Sequence, residues 1–404
     1  MPLFRLEAQL AVLVVAVARA AAAPALQPLP ADVVHSLAGA LASSEIVLLE
    51  LEPDGRVGQI TLLGYAAAPP ALVRQLVADP SLYPRYVRNL TRSDVEPRPD
   101  GSVLNRWRLS FPIGSFEGTD LVRPLPAAAG GVGPVEIRSL GEGKQGMFRW
   151  EFLPAPGGGT LVVSYGRYDP LDNFVLRALM RQNPELEAGF HVAGGLSLLR
   201  ALLAQAERQA QQVGPCPARP SAGRLDLTPL LRRGTVAIVR TGSGGALTDV
   251  SIVERVAAPQ ELLLHLVRTP ETWPRFLRSV SRLRVTRRLG DGIEFRMTVG
   301  SFLFDVVTDY RTLFTDSGAD NLAIGGAMKG ARFRWDLSGD GPSASVAVWR
   351  GNIRLGDTSA LVRAMLRIEP SFEHGANLSI GLLSVRAMAT YALQLLRSGR
   401  AAGM

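Results

Sequence analysis

An internal repeat constrains this chain more than any other feature. Residues 62–87, LLGYAAAPPALVRQLVADPSLYPRYV, return as residues 252–277, IVERVAAPQELLLHLVRTPETWPRFL, at an offset of 190 without a gap. Ala68-Pro69 answers Ala258-Pro259, and Pro80 answers Pro270. Tyr83-Pro84 answers Trp273-Pro274, and Tyr86-Val87 answers Phe276-Leu277. Each copy reads as the end of a strand, a helix opened by proline, and a stop containing a second proline. Proline tolerates the first helical turn because its missing N–H has no partner there. Leu72, Val73, Leu76 and Val77 share one face at helical spacing, as do Leu262, Leu263, Leu266 and Val267. A repeat of this kind settles the architecture before other patterns do.

The kinship continues past this stretch. Asp100-Gly101 answers Asp291-Gly292 as a turn, and Gly114-Ser115-Phe116 answers Gly300-Ser301-Phe302. Phe148-Arg149-Trp150 answers Phe333-Arg334-Trp335. Arg177-Ala178, Pro184 and Glu187 answer Arg363-Ala364, Pro370 and Glu373. The chain is therefore two copies of one domain. Its 404 residues suffice for a core in each copy, and 47% apolar with 20% charged residues marks a folded chain.

The copies are expected at 31–208 and 235–398. Between them, 209–234 reads as a linker, with Gly214, Pro215, Pro217, Pro220 and Gly223 close together. Residues 1–30 form a leader or N-terminal helical segment. Arg5 precedes an apolar run from Leu10 to Ala18, as in a secretory signal, while Glu7, Arg19 and Pro24 fit that pattern poorly. The run is short for a membrane span. Export to a periplasm-like compartment and a cytoplasmic location both stay open.

Within each copy the pattern alternates with period two before it turns helical. Strands at 45–51 and 57–65 flank Pro53-Asp54-Gly55 as a hairpin. Ile293, Phe295, Met297 and Val299 alternate with Glu294, Arg296 and Thr298, which makes one strand face apolar. Helices are expected over 171–180 and 184–208, and again over 358–367 and 370–396. The fold class is α+β: two tandem domains, each a curved antiparallel β-sheet wrapped around a long C-terminal α-helix. Such a sheet buries its apolar face against that helix, and any space left between them is an apolar cavity.

This order, with its A-P…D-P…Y-P stretch, resembles the START-like, or SRPBCC, helix-grip superfamily. That group includes polyketide cyclase/dehydrase and lipid-transport proteins. The run from Asp79 to Tyr86 is similar to the D-x-x-x-Y-P-x-F/Y segment of its coenzyme-Q-binding branch. The second copy departs from it with Thr269 and Trp273. The resemblance covers roughly 45–205 and 235–396. It implies a ligand such as a lipid, sterol, quinone or polyketide, with cyclisation or dehydration in a minority of members.

The residues themselves show no familiar catalytic motif: no nucleophile motif, no HExxH, no phosphate-binding glycine loop. Cys216 is the single cysteine, so no disulfide forms within the chain. His35, His191, His265 and His374 do not space as a zinc site, and neither metal nor cofactor is expected. The formal charge of +8 comes from arginines that look scattered. A nucleic-acid partner is therefore not expected, while transient contact with a membrane surface is. Glu117, Asp120, Asp305 and Asp309 are candidate acids. Acid–base chemistry requires one of them to turn inward with its pKa raised by apolar surroundings. The alternative is an outer strand face or a salt bridge to Arg106 or Arg311.

Large aromatics are the better clue. Trp107, Phe111, Phe148, Trp150, Tyr165, Phe295, Phe302, Phe333, Trp335 and Trp349 either line the cavities or fill them. Tyr83, Arg85, Tyr86, Trp273, Arg275 and Phe276 are candidates for the cavity mouth, or they anchor their loop to the preceding helix. The expected function is non-catalytic binding or transport of a hydrophobic small molecule. The alternatives are a cyclase- or dehydratase-like enzyme and a structural protein with filled cavities.

Overall fold

The structure is a computed structural model. It describes residues 25–52, 57–111, 114–127, 131–140, 146–167, 184–221, 223, 225–242, 246–300, 305–354, 363, 366–367 and 372–403. Two short helices, α1 (Ala31–Ser36) and α2 (Ala38–Leu41), lead into strands β1 (Ser44–Leu51) and β2 (Val57–Ala66). Helix α3 (Pro70–Ala78) and a 3-10 turn (Pro80–Arg85) follow. Then come β3 (Leu90–Pro97), β4 (Val103–Phe111), β5 (Gly114–Pro124), β6 (Val135–Leu140), β7 (Met147–Pro154) and β8 (Thr160–Arg167). The long helix α4 (Pro184–Val213) closes the first domain, and α5 (Thr228–Leu231) precedes the second.

The second domain repeats the order. It has β9 (Thr235–Thr241), β10 (Leu247–Val256), α6 (Gln260–Arg268) and a 3-10 turn (Pro270–Arg275). Its remaining strands are β11 (Val280–Arg288), β12 (Gly292–Gly300), β13 (Asp305–Thr315), β14 (Gly318–Gly326), β15 (Arg332–Gly339) and β16 (Ser345–Asn352). Helix α7 (Phe372–Arg397) closes it. The helices expected at 171–180 and over most of 358–367 lie outside the described residues, as do residues 1–24.

Every recorded strand pairing is antiparallel. The two domains share one 16-stranded sheet, because β1 pairs with β9. In that pairing Val47 lies opposite Ala237, its own counterpart at the 190-residue offset. Ile46 lies opposite Ile238, and Leu48 opposite Val236. The junction therefore has the self-complementary register of a two-fold dimer interface, formed within one chain.

The helices obey the same symmetry. A Cβ added at Gly189 would meet Ser379 Oγ at 2.1 Å, and one at Gly375 would meet Ala193 Cβ at 2.2 Å. Gly189 and Gly375 are counterparts, as are Ala193 and Ser379, at the 186-residue offset seen between Pro184 and Pro370. Small residues spaced by four thus let α4 and α7 cross closely. Replacing Gly375 with valine inserts atoms where none fit. The expected cost is roughly 1–3 kcal/mol of overpacking, measurable as a lower urea midpoint.

Two further glycines seat the helices on the sheet. A Cβ at Gly195 would lie 2.7 Å from Leu62 Cδ1, and one at Gly381 would lie 2.7 Å from Ile252 Cγ1. Val192, Leu196, Leu199, Leu202 and Ala206 of α4 pack on that face, and so do Leu378, Leu382, Val385 and Met388 of α7. The stretch Glu373–Arg397 has the length and hydropathy of a membrane span, with half of the span-length window buried inside the protein.

The opposite face of the joined sheet is covered by segments expected to matter less. Leu29, Val34, Leu37 and Leu41 pack with Leu230 against Ile46, Leu48, Leu63, Val236 and Ile238. Arg233 donates to Glu50 at 2.9 Å and to the Gln27 carbonyl at 2.7 Å. The stretch read as a linker differs in two ways. Its first residues continue α4 to Val213, and its later ones pack beneath the sheet junction.

Candidate functional site

Strand alternation decides what each domain presents to its closing helix. In the first domain Asn105, Asp120 and Ser139 stand in line across β4, β5 and β6. Trp107 stands on the same face opposite Gly118. The indole lies flat over that glycine, where a Cβ would come within 2.3 Å of the ring. Trp107 Nε1 donates to Asp120 Oδ2 at 2.7 Å, and Ser139 Oγ donates to Oδ1 at 2.9 Å. Ser93 Oγ donates to Asn105 Oδ1 at 2.8 Å on the next strand. Phe148 and Trp150 of β7 continue this face, with Trp150 buried and Phe148 half-buried. Trp107, Asp120 and Ser139 are also half-buried.

The second domain places different residues at the same register. Phe295, Tyr310 and Ala323 align across β12, β13 and β14 as Asn105, Asp120 and Ser139 do in the first domain. Met297 takes the place of Trp107. All four are buried. Their rings belong to an aromatic chain: Trp273 edge-on to Phe295 at 5.6 Å, and Phe295 stacked on Tyr310 at 5.5 Å. The chain continues from Tyr310 to Phe333 at 5.7 Å, and from Phe333 to Trp349 at 6.1 Å. Each ring is in contact range of the next. The aromatics of this domain therefore act as filling. Burial pushes the Tyr310 phenol up to about 12.

Most of the remaining aromatic candidates are structural. Trp335 and Trp349 are core residues, and Phe333 is half-buried. Tyr165 lies on the opposite face of the sheet, because its strand position is one residue out of phase with Ser164 and Gly166. Its hydroxyl accepts from Leu29 N at 3.0 Å, so it holds the N-terminal segment and faces no cavity. Phe111 ends β4, and its side chain lies outside the described residues, as does Phe302.

The mouth candidates cap helices. Tyr83 and Tyr86 donate to the carbonyls of Val77 and Leu76 at 2.7 and 3.0 Å. Trp273 Nε1 donates to the Leu266 carbonyl at 3.1 Å, one repeat further on from Leu76. The last carbonyls of a helix have no intrahelical donor, and the aromatic before each proline supplies one. Burial pushes the Tyr83 phenol well up, with the Asp120 charge adding to the effect. Phe276 stacks on Tyr391 of α7 at 5.3 Å, while Arg85 and Arg275 are exposed.

Among the candidate acids only Asp120 turns to the helix-bearing face. Glu117 pairs with Arg108 at 3.3 Å, and Asp309 with Arg296 at 2.7 Å. The hydrogen bond from Arg296 holds the Asp309 carboxyl below its ordinary value. Asp305 is exposed. Arg106 and Arg311 take Glu96 and Glu294 instead. A depression of about 320 Å³ near Thr286, Glu294, Arg296, Asp309 and Ile324 lies on the outer face of the second domain's part of the sheet. Among the described residues no group of three His, Cys, Asp or Glu could hold a metal.

Two ion pairs beneath the closing helices, with buried or half-buried partners, were not anticipated. Arg200 of α4 meets Glu45 at 3.4 Å, and Arg386 of α7 meets Glu254 at 3.1 Å. The arginines are counterparts at the 186-residue offset. Burial raises the pKa of both glutamates, and the facing arginine opposes it. The available signal was a glutamate in phase with the apolar residues of its strand.

In strand order and in the long helix laid across its share of the sheet, each half has a helix-grip architecture, repeated in tandem. No family model matches the chain, and no curated protein matches it significantly. Solved structures are similar at low identity, among them these three. TTHA0849 from Thermus thermophilus is 17% identical, covering 36% of this chain and 97% of its own, at a TM-score of 0.32. The di-domain ARO/CYC StfQ of the steffimycin biosynthetic pathway is 15% identical, covering 84% and 99%, at 0.31. Human STARD10 is 11% identical, covering 45% and 86%, at 0.32. Likeness this slight says nothing of function.

Proposed function

We propose that the first domain binds a hydrophobic small molecule, such as a lipid, quinone or polyketide-like compound, between its sheet and closing helix. The second domain is its scaffold, and no chemistry is done on the ligand. One contrast supports this reading: at matched register, half-buried Trp107, Asp120 and Ser139 stand where the second domain has buried Met297, Tyr310 and Ala323. Trp107 and Phe148 offer apolar surface. Asp120 orients a polar group, since a carboxylate accepts several hydrogen bonds. Sites of this kind are mostly apolar, with a few convergent polar groups.

Mass spectrometry of compounds extracted from natively purified protein tests the proposal. A retained lipid or isoprenoid is expected. Trp107→Ala is expected to lower its occupancy at least fivefold in protein that is still folded by circular dichroism, alongside some loss of stability from the packing on Gly118. An empty wild-type protein, together with a Trp107→Ala variant that loses only stability, would overturn it. The inward carboxylate also favours a second reading, acid–base catalysis of a cyclisation or dehydration. In that case Asp120→Asn abolishes turnover of a polyketide-like substrate while binding persists.

A further inference from the structure

One short run of the sequence concentrates arginine, and the fold places that run on an edge of the sheet. Strand β11 is the outermost strand of the second domain. Arg275, Arg278, Arg282, Arg284, Arg287 and Arg288 lie on it and on the turn before it, with no acidic residue between Glu271 and Asp291. All six are exposed. Among the described residues, the ion pair recorded for this group is Arg288 with Glu271 at 2.7 Å. Across the β11–β12 ladder Arg284 faces Arg296, which Asp309 holds, and Arg287 faces Glu294, which Arg311 holds.

The first domain shows what an edge at rest looks like. At the same register Asp94 faces Arg106. Arg92 pairs with Asp94, Arg106 with Glu96 at 3.1 Å, and Arg108 with Glu117 at 3.3 Å. Charged side chains on an edge strand discourage pairing with another chain, and the balanced edge already does this. The excess positive charge of the other edge needs a different explanation.

We propose that the β11 edge of the second domain docks on the surface of an anionic phospholipid bilayer. Nine residues of strand make a stripe roughly 30 Å long, matched to an extended charged plane. The preceding turn adds exposed Pro274 and half-buried Phe276 and Leu277 between Arg275 and Arg278. Arginine stems lie along apolar surface while their heads reach phosphates. A nucleic acid fits less well, because this edge offers no exposed rings for stacking bases. The proposal stands independently of the ligand reading.

Co-sedimentation of the full chain with vesicles is the test. One set is pure phosphatidylcholine, and the other contains about one third phosphatidylglycerol. Binding is expected to be at least tenfold tighter to the anionic set and to weaken with salt, as screened charge does. The Arg282→Glu/Arg284→Glu/Arg287→Glu variant is expected to lose tenfold or more with an unchanged melting temperature. The Arg98→Glu/Arg123→Glu/Arg138→Glu variant, with the same change in charge on the first domain, is expected to bind as wild type. Equal binding to both vesicle sets overturns the proposal. So does equal loss in both variants, or tighter binding to a DNA duplex than to anionic vesicles. Trp107→Ala should leave vesicle binding unchanged, which separates this outcome from the fate of the ligand site.

Discussion

Truncating Trp349 to alanine is expected to destabilise the protein by about 3–5 kcal/mol, the usual range for a large buried aromatic. Trp349 is 1% exposed and stacks on Phe333. It sits against Gly351 and Gly381, where a Cβ would come within 2.3 and 2.6 Å of its ring. Those two positions have no side chain that could move into the space. Such a loss is a large part of the 5–15 kcal/mol that holds a typical domain folded. Urea unfolding followed by tryptophan fluorescence and near-ultraviolet circular dichroism measures it. A loss below about 1 kcal/mol would mean that the second domain encloses real space, and the scaffold role would fall.

The second large effect concerns the ion pair beneath α7. Arg386→Met leaves Glu254 buried without its cation, at an expected cost of about 3–5 kcal/mol near pH 7. Burial already pushes the Glu254 carboxyl up, and Arg386 with Thr235 pulls it partly down. Removing the arginine raises it further. A carboxyl whose pKa is higher folded than unfolded holds its proton better in the folded state. Stability then falls as pH rises from the unfolded value to the folded one. The variant should therefore be least penalised below about pH 4, where glutamate is protonated in both states, and most penalised at neutral pH. Glu254→Gln/Arg386→Met should recover most of the loss. Urea midpoints at the two pH values decide it. A cost independent of pH would show that Arg386 acts by packing alone.

The two-fold symmetry of the junction does not extend to the ion pairs beneath the helices. Arg200 and Arg386 occupy counterpart positions, yet they reach different partners: Glu45 on β1 and Glu254 on β10. Gly64 stands at the counterpart of Glu254, and a Cβ there would come within 2.7 Å of Leu203. The first domain spends that position on close packing of its helix, and the second spends it on a carboxylate. A duplicated fold can diverge in this way because each strand position needs only to match its own helix.

The helix-grip order was legible in the sequence, and so was the duplication. Strand alternation at 293–299 and the proline-bounded helices at 70–78 and 260–268 are local signals, written by side-chain period and backbone restriction. The aromatic candidates were legible only as candidates. Trp107 and Met297 occupy matched places, but whether a ring borders space or fills it depends on side chains brought from distant strands. Tyr165 was misplaced because a shift of one residue reverses the face of a strand, and tyrosine suits either face.

By itself the sequence determined that there are two like domains, that each has a sheet and a closing helix, and that arginine is concentrated between residues 275 and 288. These follow from short-range periodicity and from an offset visible without coordinates. The tertiary structure alone decided that the domains share one sheet, that half-buried Trp107, Asp120 and Ser139 answer buried Met297, Tyr310 and Ala323, and that the arginine-rich strand lies at a free edge. Those outcomes rest on strand register and helix crossing, in which residues far apart in the chain become neighbours, and no local pattern encodes which ones.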